Sequence, residues 1–254
     1  MGVLAEILAE KAENIVALRT RKLPVPPPRR AFRLRRGPGE ALHLISEIKF
    51  RSPSAGALST ALGVSARAAA YERGGASMVS VLTDTRFFGG AWEHVAEARA
   101  ACGLPLLCKE FVLDEIQLDA ARSYGADAVL LIVRCVPRER LRALVEGARS
   151  RELEPFVEIT NDDEARVALD AGATLVGVNA RDLDTLVMDA ERAKRTLAAL
   201  PDAVTKVHLS GLATPADVET LQRTPAHAAL VGETLMRADD PEPLLRSLVR
   251  AAEP

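Results

Sequence analysis

The sequence predicts an α/β fold in which eight parallel strands close into a barrel, preceded by a helical extension at the N-terminus. Short apolar runs alternate with amphipathic stretches, and this pair recurs roughly every 25 residues. Alternating strands and helices imply a parallel sheet, because parallel strands need long crossover connections. Right-handed crossovers and a count of eight runs favour closure into a (β/α)8 TIM barrel.

The individual elements follow from the apolar runs and the turn residues between them. The predicted strands are residues 42–48, 78–82, 104–108, 128–133, 155–159, 175–178, 204–209 and 228–231. The predicted helices are residues 64–73, 91–101, 114–122, 137–149, 162–170, 189–199, 215–222 and 241–251. A Gly-Ala pair precedes three of the strands, at Gly75, Gly125 and Gly172, where glycine suits the left-handed cap of the preceding helix.

The first 40 residues lie outside this repeat. Apolar residues at helical spacing predict an amphipathic helix there: Leu4, Ile7, Leu8, Ile15 and Leu18. Residues 23–30 are rich in Pro and Arg, which predicts an extended connector. We therefore predict a single domain, 1–254, in which 1–40 are an extension of the barrel. The alternative, an open doubly wound sheet, would need a G-x-G-x-x-G loop after the first strand, which the sequence lacks.

Composition excludes several classes of protein. The 254 residues are 48% hydrophobic with a net charge of −2, so neither nucleic acid nor an acidic membrane is a favoured partner. The cysteines at 102, 108 and 135 fit no zinc spacing, so no metal site is predicted. The N-terminal segment is too charged for a signal peptide, and no window reaches the ~18 apolar residues of a membrane span. We predict a soluble cytoplasmic protein, a monomer or a weak homodimer.

Charged and polar residues gather at the C-terminal ends of the predicted strands, where active sites of such barrels lie. They are Glu47 and Lys49 on strand 1, Lys109 on strand 3, Glu158 on strand 5, and Asn179 with Arg181 after strand 6. Period-2 alternation places Glu47 and Lys49 on one face of their strand. Lysines and carboxylates held close in a partly desolvated mouth shift one another's pKa values, which suits proton transfer near neutral pH. The alternative interpretation of these charged residues is a ring of structural salt bridges with no catalytic role.

Glycines after the last two predicted strands indicate a phosphate site, because these loops commonly bind phosphate in such barrels. Ser210-Gly211 and Gly232-Glu233 occupy the two loops, each shortly before a helix. Backbone N–H groups there could approach an anion closely. Ser52, after strand 1, would add a hydroxyl. The predicted substrate is therefore a small phosphorylated molecule.

Several segments together resemble the indole-3-glycerol phosphate synthase family. The similar segments are 47–54, 80–84, 87–90, 107–111, 125–132, 154–158, 177–183 and 231–236. They cover nearly the whole chain and are specific as a set. The resemblance implies a carboxy-lyase of tryptophan biosynthesis that uses no metal or organic cofactor. Its substrate would be 1-(2-carboxyphenylamino)-1-deoxyribulose 5-phosphate, and its products indole-3-glycerol phosphate, carbon dioxide and water.

The resemblance also implies roles for the residues at the predicted mouth. Lys109 would be the general acid that protonates the ribulose carbonyl oxygen, and we expect Lys49 to lower its pKa. Lys49 would meet the substrate carboxylate, or the two lysines would exchange roles. Glu47 would hold both lysines in place. Glu158 would act as acid and base in the dehydration, and Asn179 would orient a substrate hydroxyl.

Further residues would bind the substrate without taking part in proton transfer. Arg181 has the planar fork that suits an anion, unless it pairs with a carboxylate of the rim. Phe111, Leu130 and Leu183 would wall the aromatic ring, although Leu130 could equally be ordinary core. Ser52 and Ser210 would contact the substrate and its phosphate.

The chain departs from the family pattern in strand 7. An acid precedes the Ser-Gly pair in the family, whereas Leu209 precedes Ser210 here, and Ala55 replaces a lysine that commonly follows Ser-Pro-Ser. His208 does not replace the acid, because strand alternation turns it toward the helices. Alternative functions are a related phosphosugar barrel with an altered substrate, such as phosphoribosylanthranilate isomerase, or with weakened catalysis, and a non-catalytic barrel that only binds a ligand.

Overall fold

The computed structural model describes residues 2–254. Over these residues eight parallel strands close into a barrel, each paired with its neighbours in sequence, and β8 pairs back with β1. The strands are β1 (His43–Ile48), β2 (Met78–Leu82), β3 (Leu106–Lys109), β4 (Ala128–Ile132), β5 (Glu154–Ile159), β6 (Leu175–Asn179), β7 (Thr205–Leu209) and β8 (Ala228–Val231). The predicted TIM barrel is confirmed, and no predicted strand end lies more than two residues from the observed one.

Helices lie around the outside of the barrel and at its C-terminal mouth. They are α1 (Val3–Thr20), α2 (Val64–Gly74), α3 (Thr85–Phe88), α4 (Trp92–Ala101), α5 (Glu115–Ser123), α6 (Arg138–Ser150), α7 (Asp162–Asp170), α8 (Ala190–Ala199), α9 (Pro215–Gln222), α10 (Glu233–Arg237) and α11 (Glu242–Ala251). Gly75, Gly125 and Gly172 have φ angles of 92°, 101° and 86°, which confirms the predicted left-handed caps. Of the helices in residues 2–254, none has the length and apolarity needed to cross a membrane.

The barrel has an inner and an outer core, because alternate residues of each strand face opposite sides. Inner residues that pack together include Ile45, Met78, Leu107, Phe156, Leu175, Val207 and Leu230. Near the C-terminal ends of the strands, Glu47, Glu158 and Asn179 take positions on this same inner face, two residues or more beyond its apolar members. The alternation that builds the core therefore also directs these polar side chains into the barrel mouth.

The N-terminal helix α1 lies against the C-terminal mouth of the barrel. Its Leu4 and Ile7 are buried in the same apolar cluster as the inner strand residues. Further along α1, the buried ammonium of Lys11 forms ion pairs with Asp84 at 2.8 Å and Glu110 at 2.9 Å. Asp84 follows β2 and Glu110 follows β3 directly. These ion pairs fix α1 to loops at the carboxyl ends of two strands.

The Pro- and Arg-rich connector runs over the opposite end of the barrel. Residues 23–30 have neither helical nor strand hydrogen bonding, as expected from their prolines. Arg30 fixes the connector, because its guanidinium donates to the carbonyls of Leu104 at 2.7 Å and Arg99 at 3.0 Å. Its backbone N–H donates to the Asp127 carboxylate, at the amino end of β4.

Several short elements were missing from the sequence prediction. They are a hairpin of Arg51–Ser52 with Gly56–Ala57, the helices α3 and α10, and a 3-10 turn at Val133–Cys135. The two strands of the hairpin have two residues each and the other three elements have five or fewer, so hydrophobic periodicity in the sequence cannot reveal them. All four lie in loops that follow strand C-terminal ends, on the side of the barrel mouth.

Replacing Lys11 by Met is expected to lower the free energy of unfolding by about 3–5 kcal/mol, since two buried carboxylates would lose their cation. Urea unfolding at pH 7, followed by circular dichroism, measures this loss. Lys22→Met, at an exposed position beyond the same helix, is the matched control and should change stability by about 0.5 kcal/mol or less. A loss for Lys11→Met as small as that of the control would contradict the anchoring role of this lysine.

Candidate active site

The centre of the barrel mouth is one carboxylate shared by two lysines. Glu47 is completely buried, and its two oxygens are paired with different ammonium groups. Lys109 Nζ lies 2.5 Å from Glu47 Oε2, and Lys49 Nζ donates to Oε1. Strand alternation brings Glu47 and Lys49 to the same face, and Lys109 comes from the end of β3, two strands away around the barrel. The structure therefore brings together three of the predicted catalytic residues.

The charges of this cluster control its proton affinities. Burial by itself would raise the pKa of Glu47, but the Lys109 and Lys49 ammonium groups outweigh it and lower that pKa from 4.5 to about 2. Burial alone would lower the pKa of Lys109, whereas Glu47 and Glu158 raise it more strongly. The expectation that Lys49 lowers the pKa of Lys109 is therefore wrong, because Glu47 stands between the two ammonium groups. Lys109 is held as a protonated ammonium.

A second polar pair lies on β5 and β6. Asn179 Nδ2 donates to Glu158 Oε1 at 2.9 Å, and both side chains are buried. Burial raises the pKa of Glu158 above 4.5, against the opposing effects of Lys109 and Asn179. Gly177 lies beside Glu158 in the sheet, and a Cβ there would sit 2.5 Å from the Phe156 ring. Glu158 is thus a carboxyl group whose raised pKa suits exchange of protons closer to neutral pH.

An apolar cavity opens above these polar groups. Phe111, Leu130 and Leu183 line it, as predicted from the sequence, together with Lys49, Lys109, Glu158 and Asn179. The helix α1 adds Val3, Leu4 and Ile7 to the lining, which the sequence reasoning missed. The apolar stripe of α1 indicates that this face packs against another part of the protein, but not that it packs over the cavity. The cavity has an ionic floor and apolar walls of the kind that bind an aromatic ring.

A second cavity adjoins the first and is lined by the predicted phosphate loops. Ser210, Gly211, Gly232 and Glu233 all line it, with Thr234 beside them. Ser210 and Gly211 both have positive φ angles, 70° and 86°, and a serine held in this region is a form of backbone strain that concentrates at functional sites. We call this second cavity, with Ser210–Gly211 and Gly232–Thr234, the anion cradle.

Two serines of the β1 loop differ in their position relative to the anion cradle. Ser52 lines the apolar cavity and not the cradle, and its hydroxyl accepts the N–H of Ala55 at 3.1 Å. Ser54 is exposed and lines both cavities. The hydroxyl that faces the cradle from this loop is therefore that of Ser54, two residues beyond the one predicted.

Arg181 lies where the two cavities meet and lines both of them. Its backbone N–H donates to Asn179 Oδ1 at 3.0 Å, and its guanidinium donates to the Leu186 carbonyl at 3.1 Å. Arg134 supports this loop, because it forms ion pairs with Asp182 at 3.0 Å and with Glu164 at 2.9 Å. The sequence does not reveal this role of Arg134, since its partners lie on helix α7 and in the loop after β6, both distant from it along the chain.

The departure in β7 places an apolar side chain beside the polar cluster. Leu209 is buried on the inner face and pairs in register with Asn179 and Leu230 on its two sides. The ring of His208 points outward, into a groove between α8 and α9, as the alternation predicted. Its Nε2 lies 2.9 Å from the Ser210 carbonyl, and burial lowers its pKa. His208 therefore does not stand in for an acid in the mouth.

Together, the fold and the site define a (β/α)8-barrel enzyme with an ionisable cluster beside an anion cradle. Among residues 2–254, no group of three or more His, Cys, Asp or Glu side chains is arranged to hold a metal ion. The chain belongs to the indole-3-glycerol phosphate synthase family, whose sequence model matches residues 4–248.

Individual relatives agree with this membership. The indole-3-glycerol phosphate synthase of an Exiguobacterium species is 40% identical over 248 residues, which cover 98% of this chain and 96% of the relative. That of a Parafrankia species is 42% identical over 251 residues, covering 98% and 93%. A solved 3-hexulose-6-phosphate synthase superposes with a TM-score of 0.66 at 18% identity, over 83% of this chain and 99% of its own. At that identity the likeness concerns the fold alone.

Gly232 is expected to tolerate no side chain. A Cβ at this position would lie 2.3 Å from Glu47 Oε1 and 3.1 Å from Lys49 Nζ, so Gly232→Ala should lower the free energy of unfolding by about 1–3 kcal/mol. Gly63→Ala is the matched control, because a Cβ there meets no atom within 4 Å and φ is −71°. Chemical denaturation of both variants measures the difference, and equal stability of the two would refute this contact.

Proposed function

We propose that this chain catalyses the indole-3-glycerol phosphate synthase reaction of tryptophan biosynthesis. The reaction converts 1-(2-carboxyphenylamino)-1-deoxyribulose 5-phosphate into indole-3-glycerol phosphate, carbon dioxide and water. The observation that carries the proposal is the pairing of Lys49 and Lys109 on the buried Glu47, with Glu158 in the same apolar mouth. Family membership supports the overall reaction, and this geometry supports the assignment of roles.

The first step closes the ring. The aromatic carbon that bears the carboxylate attacks the ribulose carbonyl carbon, and negative charge develops on the carbonyl oxygen. Lys109 donates a proton to that oxygen, since a developing alkoxide is more basic than an amine. Glu47 keeps Lys109 protonated and directed into the mouth until the substrate arrives. Lys49, on the other oxygen of Glu47, meets the substrate carboxylate as a cation.

The second and third steps restore the aromatic rings. The carbon–carboxylate bond breaks, carbon dioxide leaves, and the electron pair returns to the benzene ring. The new hydroxyl then departs as water after protonation, while the carbon next to nitrogen loses a proton. We assign Glu158 as the acid–base group of this dehydration, because burial raises the pKa of its carboxyl group, which brings it closer to neutral pH. Asn179, hydrogen-bonded to Glu158, orients the departing hydroxyl.

Substrate orientation follows from the two adjoining cavities. The aromatic ring lies between Phe111, Leu130 and Leu183 in the apolar cavity, beneath α1. The phosphate lies in the anion cradle, where Gly211 and Gly232 leave room for backbone N–H groups to reach it. Arg181, at the junction, and the hydroxyls of Ser210 and Ser54 contact the phosphate side; Ser52 contacts the substrate from the apolar cavity. The proposal involves no metal or organic cofactor.

Leu209 is the only support for a non-catalytic barrel that merely binds a ligand. A barrel that merely binds a ligand would not need two lysines on a buried carboxylate beside a second carboxyl of raised pKa. With Leu209 in place of an acid, Glu158 alone serves the dehydration. We further propose that residues 1–254 act as one domain in the cytoplasm, as a monomer or a weak homodimer, with α1 as part of the substrate site.

Replacing Lys109 by Met is expected to lower kcat by about 10²–10⁴-fold, because the carbonyl oxygen loses its proton donor. The measurement follows indole fluorescence after purified protein is mixed with the carboxyphenylamino substrate. Lys194→Met, an exposed lysine on α8, is the matched control and should keep kcat within about twofold. Absence of indole-3-glycerol phosphate from the reaction of the unaltered protein would overturn the proposed function, and a Lys109→Met variant with full activity would overturn the role of Lys109.

A further inference from the structure

A cation is fully buried on α2, outside the mouth. Arg67 has no exposed surface, and in the described part of the chain no carboxylate pairs with it. Its NH groups donate to backbone carbonyls instead: Leu235 at 3.1 Å, Ala238 at 3.3 Å, Met236 at 3.5 Å and Ser59 at 3.2 Å. Burial of a cation without a carboxylate partner costs free energy, so these four hydrogen bonds indicate a specific structural role for Arg67.

Three of the four carbonyls belong to the C-terminal end of α10. This helix has only five residues, too few for a helix to be stable through its own hydrogen bonds. The last carbonyls of any helix lack donors within the helix, and a cation there also complements the helix dipole. Arg67 supplies both donors and charge. The other end of α10 begins directly after Gly232, in the anion cradle.

The fourth carbonyl connects α10 to the loop that follows β1. Ser59 accepts from Arg67, donates its own N–H to the Met236 carbonyl at 3.2 Å, and donates its hydroxyl to Asp239 Oδ1 at 2.8 Å. The loop that ends near Ser59 begins at Lys49 and carries Ser54. Arg67 therefore joins the two chain segments that face each other across the cradle.

The next turn of α2 extends this connection to the catalytic carboxylate. Tyr71, four residues after Arg67 and so on the same face of the helix, is fully buried. Its hydroxyl donates to the backbone carbonyl of Glu47 at 3.0 Å. One face of α2 thus supports both Glu47, which holds the two lysines, and α10, which begins in the anion cradle.

We infer that Arg67 is a positioning residue that sets the geometry of the anion cradle through the C-terminal end of α10. The inference rests on the proposed function, since it assumes that the cradle receives the substrate phosphate. Arg67 touches no substrate. The hydrogen bonds of Arg67 go to α10 and Ser59 and to none of the strands that carry Lys109, Glu158 and Asn179, so its loss acts on phosphate binding more than on proton transfer.

The test compares Arg67→Met and Arg67→Lys with the control variant Arg73→Met. Arg73 lies on α2, as Arg67 does, but it is exposed and forms an ion pair with Glu242 of α11. Three quantities are measured: kcat, KM, and the inhibition constant of inorganic phosphate as a competitor. Arg67→Met should raise KM and the phosphate inhibition constant by about tenfold, with kcat within about threefold. Arg67→Lys keeps the charge but loses the fork of donors, so its KM and phosphate inhibition constant should lie between those of the unaltered protein and those of Arg67→Met. Arg73→Met should leave all three quantities unchanged.

Phosphate binding is also measured without turnover, as the rise in Tm on addition of inorganic phosphate. A smaller rise in the Arg67 variants than in Arg73→Met supports the inference even if the unaltered protein forms no indole-3-glycerol phosphate, a result that would overturn the proposed function alone. If Arg67→Met fails to fold, Arg67→Lys decides the question. An unchanged phosphate affinity in Arg67→Lys, or a loss confined to kcat, would overturn the inference.

Discussion

The arrangement of the barrel mouth depends on a single buried carboxylate. Glu47 has no contact with solvent, so its charge must be met by neighbouring cations, and Lys49 and Lys109 are those cations. The rest of the site is arranged around this requirement. Alternation in β1 directs Glu47 inward, Gly232 leaves space for its oxygen, and Tyr71 fixes its backbone. The two lysines are thereby held at a fixed separation, ready for a substrate that carries both a carboxylate and a carbonyl.

The loops and α1 complete a site that the strands alone leave open. Lys11 binds Glu110, the residue directly after Lys109, so the helix that roofs the cavity is tied to the strand end that carries the predicted acid. Glu110 also accepts the Thr83 hydroxyl and the Phe111 N–H, both at 2.7 Å. A substrate ring bound beneath α1, as we propose, would contact walls whose positions are linked through buried ion pairs. Exclusion of water from this mouth strengthens every charge interaction within it.

The fold, and the placement of most of the predicted residues around the barrel mouth, follow from the sequence because both depend on local patterns. Strand alternation places Glu47 with Lys49, and the rule that barrel sites lie at strand C-termini collects Lys109, Glu158 and Asn179. What the sequence does not predict depends on contacts between distant segments. The hydrophobic stripe of α1 predicts a covered face but not that the face covers the mouth. The direction of the Lys109 pKa shift was wrong because the sequence does not say which charge lies nearest. The short hairpin at 51–57 moves Ser54 rather than Ser52 toward the cradle, and no periodicity reveals so short an element.

Glu47 remains ionised because two ammonium groups surround it. Its pKa is directly measurable by a carbon-13 NMR titration of the side-chain carboxyl, assigned by comparison with Glu47→Gln. The signal should stay in its ionised position from pH 7 down to about pH 3, below the midpoint of about 4.3 at which unperturbed glutamates titrate, and should move only toward pH 2. A Glu47 midpoint at or above that of unperturbed glutamates would show that burial, and not the two lysines, determines the protonation state of Glu47.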